Sequence, residues 1–170
     1  MKTAIVYYSM SENTTWIAER IAEVIGKNDS SESVELIRIE PVKAYPSTGA
    51  KKFIWGGKAA TMKNKPKLVP YEFDADMYDR IIIGTPVWAG TFTPPIRSFI
   101  EENRNKLDGK KIAAFTSSSG GQDQSNKALS KLKKFLGLES LIAEFGLTDP
   151  KDKPEEKNDA LIRDFCEKIQ

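Results

Sequence analysis

The sequence predicts an α/β fold, a five-stranded parallel sheet with helices on both faces, and three observations carry the prediction. Short β-branched or aromatic runs alternate with longer segments of helical period, the pattern of successive βαβ units. Three of the runs, Ala4-Ile5-Val6-Tyr7-Tyr8, Ile81-Ile82-Ile83-Gly84 and Ile112-Ala113-Ala114-Phe115, are almost continuously apolar, as interior strands must be when helices cover both faces. A length of 170 residues and a hydrophobic share of 39% suit a single domain with its own core.

Taken in order, the strands fall at 3–8, 33–39, 80–85, 111–117 and 141–145. The helix expected at 13–26 places Trp16, Ile17, Ile21, Val24 and Ile25 on one side and Glu19, Arg20 and Glu23 on the other, with Gly26 as its stop. A second, at 95–103, starts on a proline, whose missing amide hydrogen costs least in a first turn. A third, at 123–136, carries Ala128, Leu129, Leu132, Phe135 and Leu136 at helical spacing and ends at Gly137; the last, at about 154–169, turns Leu161, Ile162, Phe165 and Ile169 inward. The connection 40–79 is long for one domain and holds Pro41, Pro46, Pro66 and Pro70. Its one helix-compatible piece, 51–62, is broken by Gly56 and Gly57, so a loop, a short helix and an extended return are expected. Phe53 and Trp55 equip this excursion to cover a ligand or form a subunit contact. There is no internal repeat.

Composition removes several classes of chemistry. A lone Cys166 permits no internal disulfide or metal cluster, and its amphipathic setting suits a packed or half-exposed thiol rather than a nucleophile. The absence of histidine removes imidazole-dependent triads and zinc sites. Any chemistry then belongs to a borrowed cofactor. With 26 basic against 24 acidic residues, neither nucleic acid nor an anionic membrane is indicated as a partner. Lysines cluster at Lys63, Lys65 and Lys67, and again at Lys127, Lys131, Lys133 and Lys134, a pattern read as a solvated helix face. Lys2 leads directly into a strand-like run and no apolar stretch approaches a membrane span, so a soluble cytoplasmic protein is expected, monomer or homodimer.

In an open parallel sheet, ligands bind beyond the carboxyl ends of the strands, where neighbouring connections diverge. After the first strand, Ser9-Met10-Ser11-Glu12-Asn13-Thr14-Thr15 leads into a helix and supplies hydroxyls, an amide and unpaired backbone N–H groups suited to a phosphate monoester. It contains no lysine or arginine and no Gly-Lys-Ser/Thr ending, which excludes triphosphate chemistry of the Walker type. The third strand runs into Thr85-Pro86-Val87-Trp88-Ala89-Gly90, an irregular loop whose exposed tryptophan fits a flat aromatic ligand. The fourth ends in Thr116-Ser117-Ser118-Ser119-Gly120-Gly121, where small residues admit close approach and free amides can serve the polar edge of a planar ring. Three such loops at one rim argue for a shared ligand.

At these residues the sequence resembles the flavodoxin family, and the likeness runs through essentially the whole chain. Ser9, Ser11, Asn13 and Thr14 match the family's phosphate loop, Ser/Thr-x-Thr-Gly-x-Thr, with Glu12 at the glycine position. Gly84-Thr85-Pro86-Val87-Trp88, followed by Pro94-Pro95-Ile96-Arg97, is similar to the NAD(P)H-dependent oxidoreductase branch, and the 116–121 segment to the third flavin-contacting loop. The resemblance implies a flavodoxin-like three-layer sandwich of strand order 2-1-3-4-5, short-chain in type, holding FMN. It implies electron transfer through the flavin, with a redox partner protein or NAD(P)H, and a small quinone or flavin as a further acceptor. An NAD(P)H-dependent quinone or flavin oxidoreductase is the alternative, with Lys51, Lys52 or Lys58 placed to receive the nicotinamide nucleotide's phosphates. A flavin-free binding module of the same fold is the second. The carboxylate of Glu12 would repel a dianionic phosphate unless it points away.

Overall fold

Strand β1 (Lys2–Tyr7) lies between β2 (Ser33–Arg38) and β3 (Arg80–Pro86), and β4 (Lys111–Ser118) and β5 (Glu144–Thr148) follow on the far side of β3. All pairings are parallel, in the order β2-β1-β3-β4-β5, as the family resemblance implies. This computed structural model describes residues 1–46, 64–154 and 156–170. The helix expected at 51–62, with Phe53, Trp55, Gly56 and Gly57, lies outside the described residues, as do Lys51, Lys52, Lys58 and Lys63.

The apolar strands form because both of their faces are covered. On one side α1 (Asn13–Asn28) and α5 (Glu156–Ile169) lay Ile17, Ile21, Ile162 and Phe165 over Ile5, Ile82 and Phe115. On the other, α2 (Pro94–Glu102), the single turn α3 (Arg104–Leu107) and α4 (Gln122–Leu136) set Ile96, Phe99, Leu129 and Leu132 against Val6, Ile83 and Ala114. Burying such side chains contributes about 1.5–3 kcal/mol each. The extended return of the 40–79 connection is present, paired through Pro41 and Leu68.

Four expectations are corrected. Helix α1 continues past Gly26 to Asn28, where Lys27 suits the negative end of the dipole. Helix α2 begins one residue early, with Pro94 as well as Pro95 in its first turn. The inward stripe of α5 is Asn158, Ile162, Phe165, Cys166 and Ile169, whereas Leu161 faces outward. Strand β5 starts at Glu144 rather than 141, because Leu141, Ile142 and Ala143 form an approach segment whose apolar character mimics a strand.

The amino edge of the sheet is closed by a buried ion pair. Arg80 and Glu32 are bonded to each other, Thr3 donates to the same carboxylate at 2.7 Å, and Arg80 also donates to the carbonyl of Ile169. Cys166 packs nearby, fully buried, and burial pushes its thiol up to about 12. The thiol is thus a core group, as its setting in the sequence indicates.

Candidate functional site at the carboxyl edge

From β1 the chain turns one way, to β2, and from β3 the other, to β4, so the two outgoing loops part. At that divergence lies a cavity of about 490 Å³ lined by residues of four loops and the first turn of α4, within the usual range for a cofactor site.

The first wall is the loop between β1 and α1. Met10, Ser11 and Asn13 line the cavity. The backbone amides of residues 10–14 find no acceptor among the described residues, which leaves a row of donors at the positive end of α1. Several groups fix the loop's shape. The Thr14 hydroxyl is 2.8 Å from that of Ser117, the Thr15 amide donates to Ser9 Oγ at 3.4 Å, and Asn13 donates to Asp152 at 3.1 Å while accepting from the Lys151 amide at 2.9 Å.

Glu12 occupies the left-handed region, φ 63° and ψ 1°, a conformation that glycine adopts without cost. Its carboxylate does not line the cavity. Arg38, at the end of β2, clasps it with two bonds of 2.9 and 3.0 Å, donates to the Ser9 carbonyl at 3.1 Å and also holds Glu40. Hydrogen bonding from Arg38 holds the Glu12 carboxyl below its ordinary range. The charge that departs from the family motif is thus turned outward and paired.

The second wall is the loop after β3, where Pro86, Val87, Trp88, Ala89 and Gly90 face the cavity. Trp88 and Thr91 exchange both backbone hydrogen bonds, at 2.9 and 3.0 Å, around Ala89 and Gly90, which both have positive φ, as in a two-residue hairpin turn. Trp88 is not the exposed tip that the sequence suggests. It is 8% exposed, packed edge-on against Tyr8 at 5.8 Å and Tyr45 at 5.1 Å between ring centroids, and presents only part of its surface to the cavity.

The third wall is Ser117, Ser118, Ser119 and Gly120, at the end of β4. Ser118 Oγ accepts from the Gly120 amide at 3.0 Å and donates to the Gly121 carbonyl at 3.3 Å, holding the turn that starts α4. A fourth wall, absent from the sequence reading, supplies Asp149 and Asp152 after β5, while Gln124 enters from α4. Among the described residues, all three non-glycine residues with positive φ, Glu12, Ala89 and Asp149, lie on these loops.

Residues 56–149 match the family model described as a flavodoxin domain. The chain belongs to the flavodoxin family. Solved structures agree on the fold. A flavoprotein from Lactobacillus acidophilus NCFM, in complex with FMN, is 24% identical with a TM-score of 0.67, the match covering 89% of this chain and 95% of that one. A protein from Bacteroides uniformis ATCC 8492 is 20% identical with a TM-score of 0.69, covering 98% and 97%. Oxidised flavodoxin 1 from Bacillus cereus is 19% identical with a TM-score of 0.60, covering 99% and 97%.

Within this flavodoxin-family scaffold the expected site residues divide into two groups. Met10, Ser11, Asn13, Pro86, Val87, Trp88, Ala89, Gly90, Ser117, Ser118, Ser119 and Gly120 line the cavity. Ser9, Glu12, Thr14, Thr15, Thr85, Thr116 and Gly121 stand behind it: Thr85 bonds Thr93 at 3.1 Å and supports the second wall, and Thr116 packs towards Ser125 and Gly146. No helix among the described residues is long and apolar enough to cross a membrane.

Proposed function

We propose that this flavodoxin-family chain holds FMN non-covalently in the carboxyl-edge cavity and passes electrons through it, with a redox partner protein or NAD(P)H as the other party. The observation that carries the proposal is the row of amides at residues 10–14 without an acceptor among the described residues, set beside a cavity whose second wall carries Trp88, whose third carries serines and a glycine, and whose fourth carries Asp149 and Asp152. The residues suit the two ends of such a molecule. Amides 10–14 with Ser11 and Asn13 fit a phosphate monoester, and Met10, Val87 and Trp88 offer apolar surface to a flat ring. The 117–120 segment presents hydroxyls and amides for a ring's polar edge.

FMN, when bound, supplies one- and two-electron redox chemistry. The chain's own work is to bind, orient and screen. Trp88, Met10 and Val87 keep water from one side of the cavity. The carboxylates of Asp149 and Asp152 disfavour further negative charge within it. The reading asks no acid–base role of the lining side chains, the carboxylates of Asp149 and Asp152 included. The flavin-free reading drew only on Glu12, and the clasp by Arg38 removes that support.

The test is an absorption spectrum of freshly purified protein, followed by titration of stripped protein with FMN and with riboflavin. Yellow colour, quenching of FMN fluorescence and weaker riboflavin binding are expected. A colourless protein that leaves FMN fluorescence unchanged refutes the proposal. Stopped-flow mixing with NADPH and NADH then separates a carrier from a reductase of quinones or flavins: rapid two-electron reduction identifies the reductase.

A further inference from the structure

The two helical layers use their cations differently. On α1 and α5, Arg20 pairs with Glu23 and Asp159, Lys27 with Glu23, and Lys168 with Asp164. On α4, Lys127, Lys131, Lys133 and Lys134 have no carboxylate partner among the described residues. Gln124, Lys127, Lys131 and Lys134 recur at spacings of three and four, one face of the helix. That stripe begins at the cavity, which Gln124 lines, and Lys131 donates to the carbonyl of Gly90 in the second wall at 2.8 Å.

Helix α2 extends the patch. The Arg97 guanidinium lies 4.7 Å from the ring centre of Phe92 and 4.4 Å from that of Phe135, and Arg97 is 8% exposed. It has no hydrogen-bond acceptor among the described residues. Arg104 lies 5.0 Å over the same Phe135 ring and donates to its carbonyl. Of the acids near Arg97, Glu101 is held by Lys65 at 2.6 Å and Glu102 accepts from the Tyr71 hydroxyl at 2.7 Å, while α4 carries one acid, Asp123, in its first turn against its four lysines. The chain as a whole carries only +2, so the patch is local. Read from α4 alone the lysines are a solvated face; the arginine of α2 and the anchor at Gly90 are what change that reading.

We propose that the α2–α4 face is the docking surface for an acidic protein, which exchanges electrons with the cavity beside it. Carboxylates on such a partner supply the acceptors that Arg97 lacks, in the geometry a planar guanidinium prefers. Opposed charge steers approach and orients the partner towards the wall 86–90. The electron exchange rests on the function proposed above; the docking does not.

Two forms of one probe test this, cationic cytochrome c and the same protein succinylated to an acidic surface. Binding to the protein as purified is followed by calorimetry, which needs no flavin, and electron transfer from the flavin-reduced protein by stopped flow. The succinylated form is expected to bind about tenfold more tightly than the cationic one at low salt, and the preference to vanish above about 0.3 M salt, where the Debye length falls to about 6 Å. Reversing Lys127→Glu and Lys134→Glu should weaken that binding about tenfold, whereas Lys27→Glu with Arg163→Glu, the same change in net charge on the opposite layer, should alter it less than about twofold. Equal losses in the two pairs, or preference for the cationic probe, overturn the surface. Salt-sensitive binding by a preparation that takes up no FMN upholds the surface and overturns the cavity reading. A yellow protein that binds neither probe does the reverse.

Discussion

The two edges of the sheet treat polar groups in opposite ways. At the amino edge Arg80, Glu32, Thr3 and the Ile169 carbonyl satisfy one another, both charged side chains are 2% exposed, and of this group Arg80 Nε alone has no partner among the described residues. At the carboxyl edge the amides of residues 10–14 have no acceptor among the described residues, carboxylates line a cavity, and every described non-glycine residue of positive φ is found. One edge closes the fold by pairing its charges, and the other stays open with donors unmatched and backbone strained. Strain and unmet hydrogen bonds persist only where the surrounding structure over-determines them, so the sealed edge is part of what makes the open one tolerable.

The separation breaks first, if it breaks, at Arg80. Arg80→Leu leaves Glu32 buried without its charge partner and should cost about 3–5 kcal/mol in urea unfolding. Arg80→Leu with Glu32→Leu should recover most of that loss, since a buried pair replaced by apolar groups is often close to neutral. Flavin affinity of the folded variant should stay within about twofold, because a fold that remains intact still presents the same amides across the sheet. A large fall in affinity for the double variant would show that the edges are coupled.

This division explains which parts of the molecule could be read from the chain. Strands β1, β3 and β4 were legible because burial on both faces leaves a continuous apolar run. The edge strand β5 was displaced, since Leu141 and Ile142 look more strand-like than Glu144-Phe145-Gly146-Leu147-Thr148. That displacement hid the fourth wall, because a strand ending at 145 puts Asp149 and Asp152 well beyond the rim. Three walls were visible in their serines and glycines. Arg38 was not, although the parallel register sets it opposite Tyr7 and hence beside Ser9. Trp88 is legible as a rim residue, and a tryptophan folded back onto the domain is one reading of its loop, but the partners that bury it are not legible because Tyr8 and Tyr45 come from distant segments.

At the open edge the next effect belongs to Arg38. Arg38→Gln leaves the Glu12 carboxylate uncompensated near the amide row and should weaken FMN about tenfold, or about 1.4 kcal/mol, by repulsion of a dianion. Riboflavin, which lacks the phosphate, should bind as before. Adding Glu12→Gln should restore FMN affinity. If riboflavin and FMN weaken together, Arg38 instead maintains the loop's shape.

The sealed edge can be sharpened with alkali. The Cys166 thiol is raised to about 12 by burial, against about 8.5 in an unfolded chain. Its contribution is therefore intact below about pH 8.5 and lost as pH rises towards the folded value. Near pH 9.5 the loss should be about 1.4 kcal/mol, read as a lower urea midpoint that Cys166→Ala abolishes. A thiol reagent at neutral pH should react only as fast as the protein opens, and faster in Arg80→Leu. Prompt labelling of the native protein would mean that the edge is not sealed.

The smallest effect concerns the strained backbone. Ala89 has φ 48° and Glu12 has φ 63°, where an L-residue costs about 1–2 kcal/mol and glycine does not. Glycine also loses more freedom on folding, by about 0.5–1 kcal/mol, so Ala89→Gly and Glu12→Gly should each stabilise by less than about 1 kcal/mol. The turn of Trp88 and Thr91 keeps its hydrogen bonds in the first variant, and in the second the amide row remains while Arg38, still held by Glu40 and the Ser9 carbonyl, loses one of its two carboxylate partners and keeps more of its positive charge near that row. FMN should therefore bind Glu12→Gly more tightly and Ala89→Gly unchanged. Stabilisation without tighter FMN in Glu12→Gly would place the strain at this edge in the service of folding geometry rather than of the ligand.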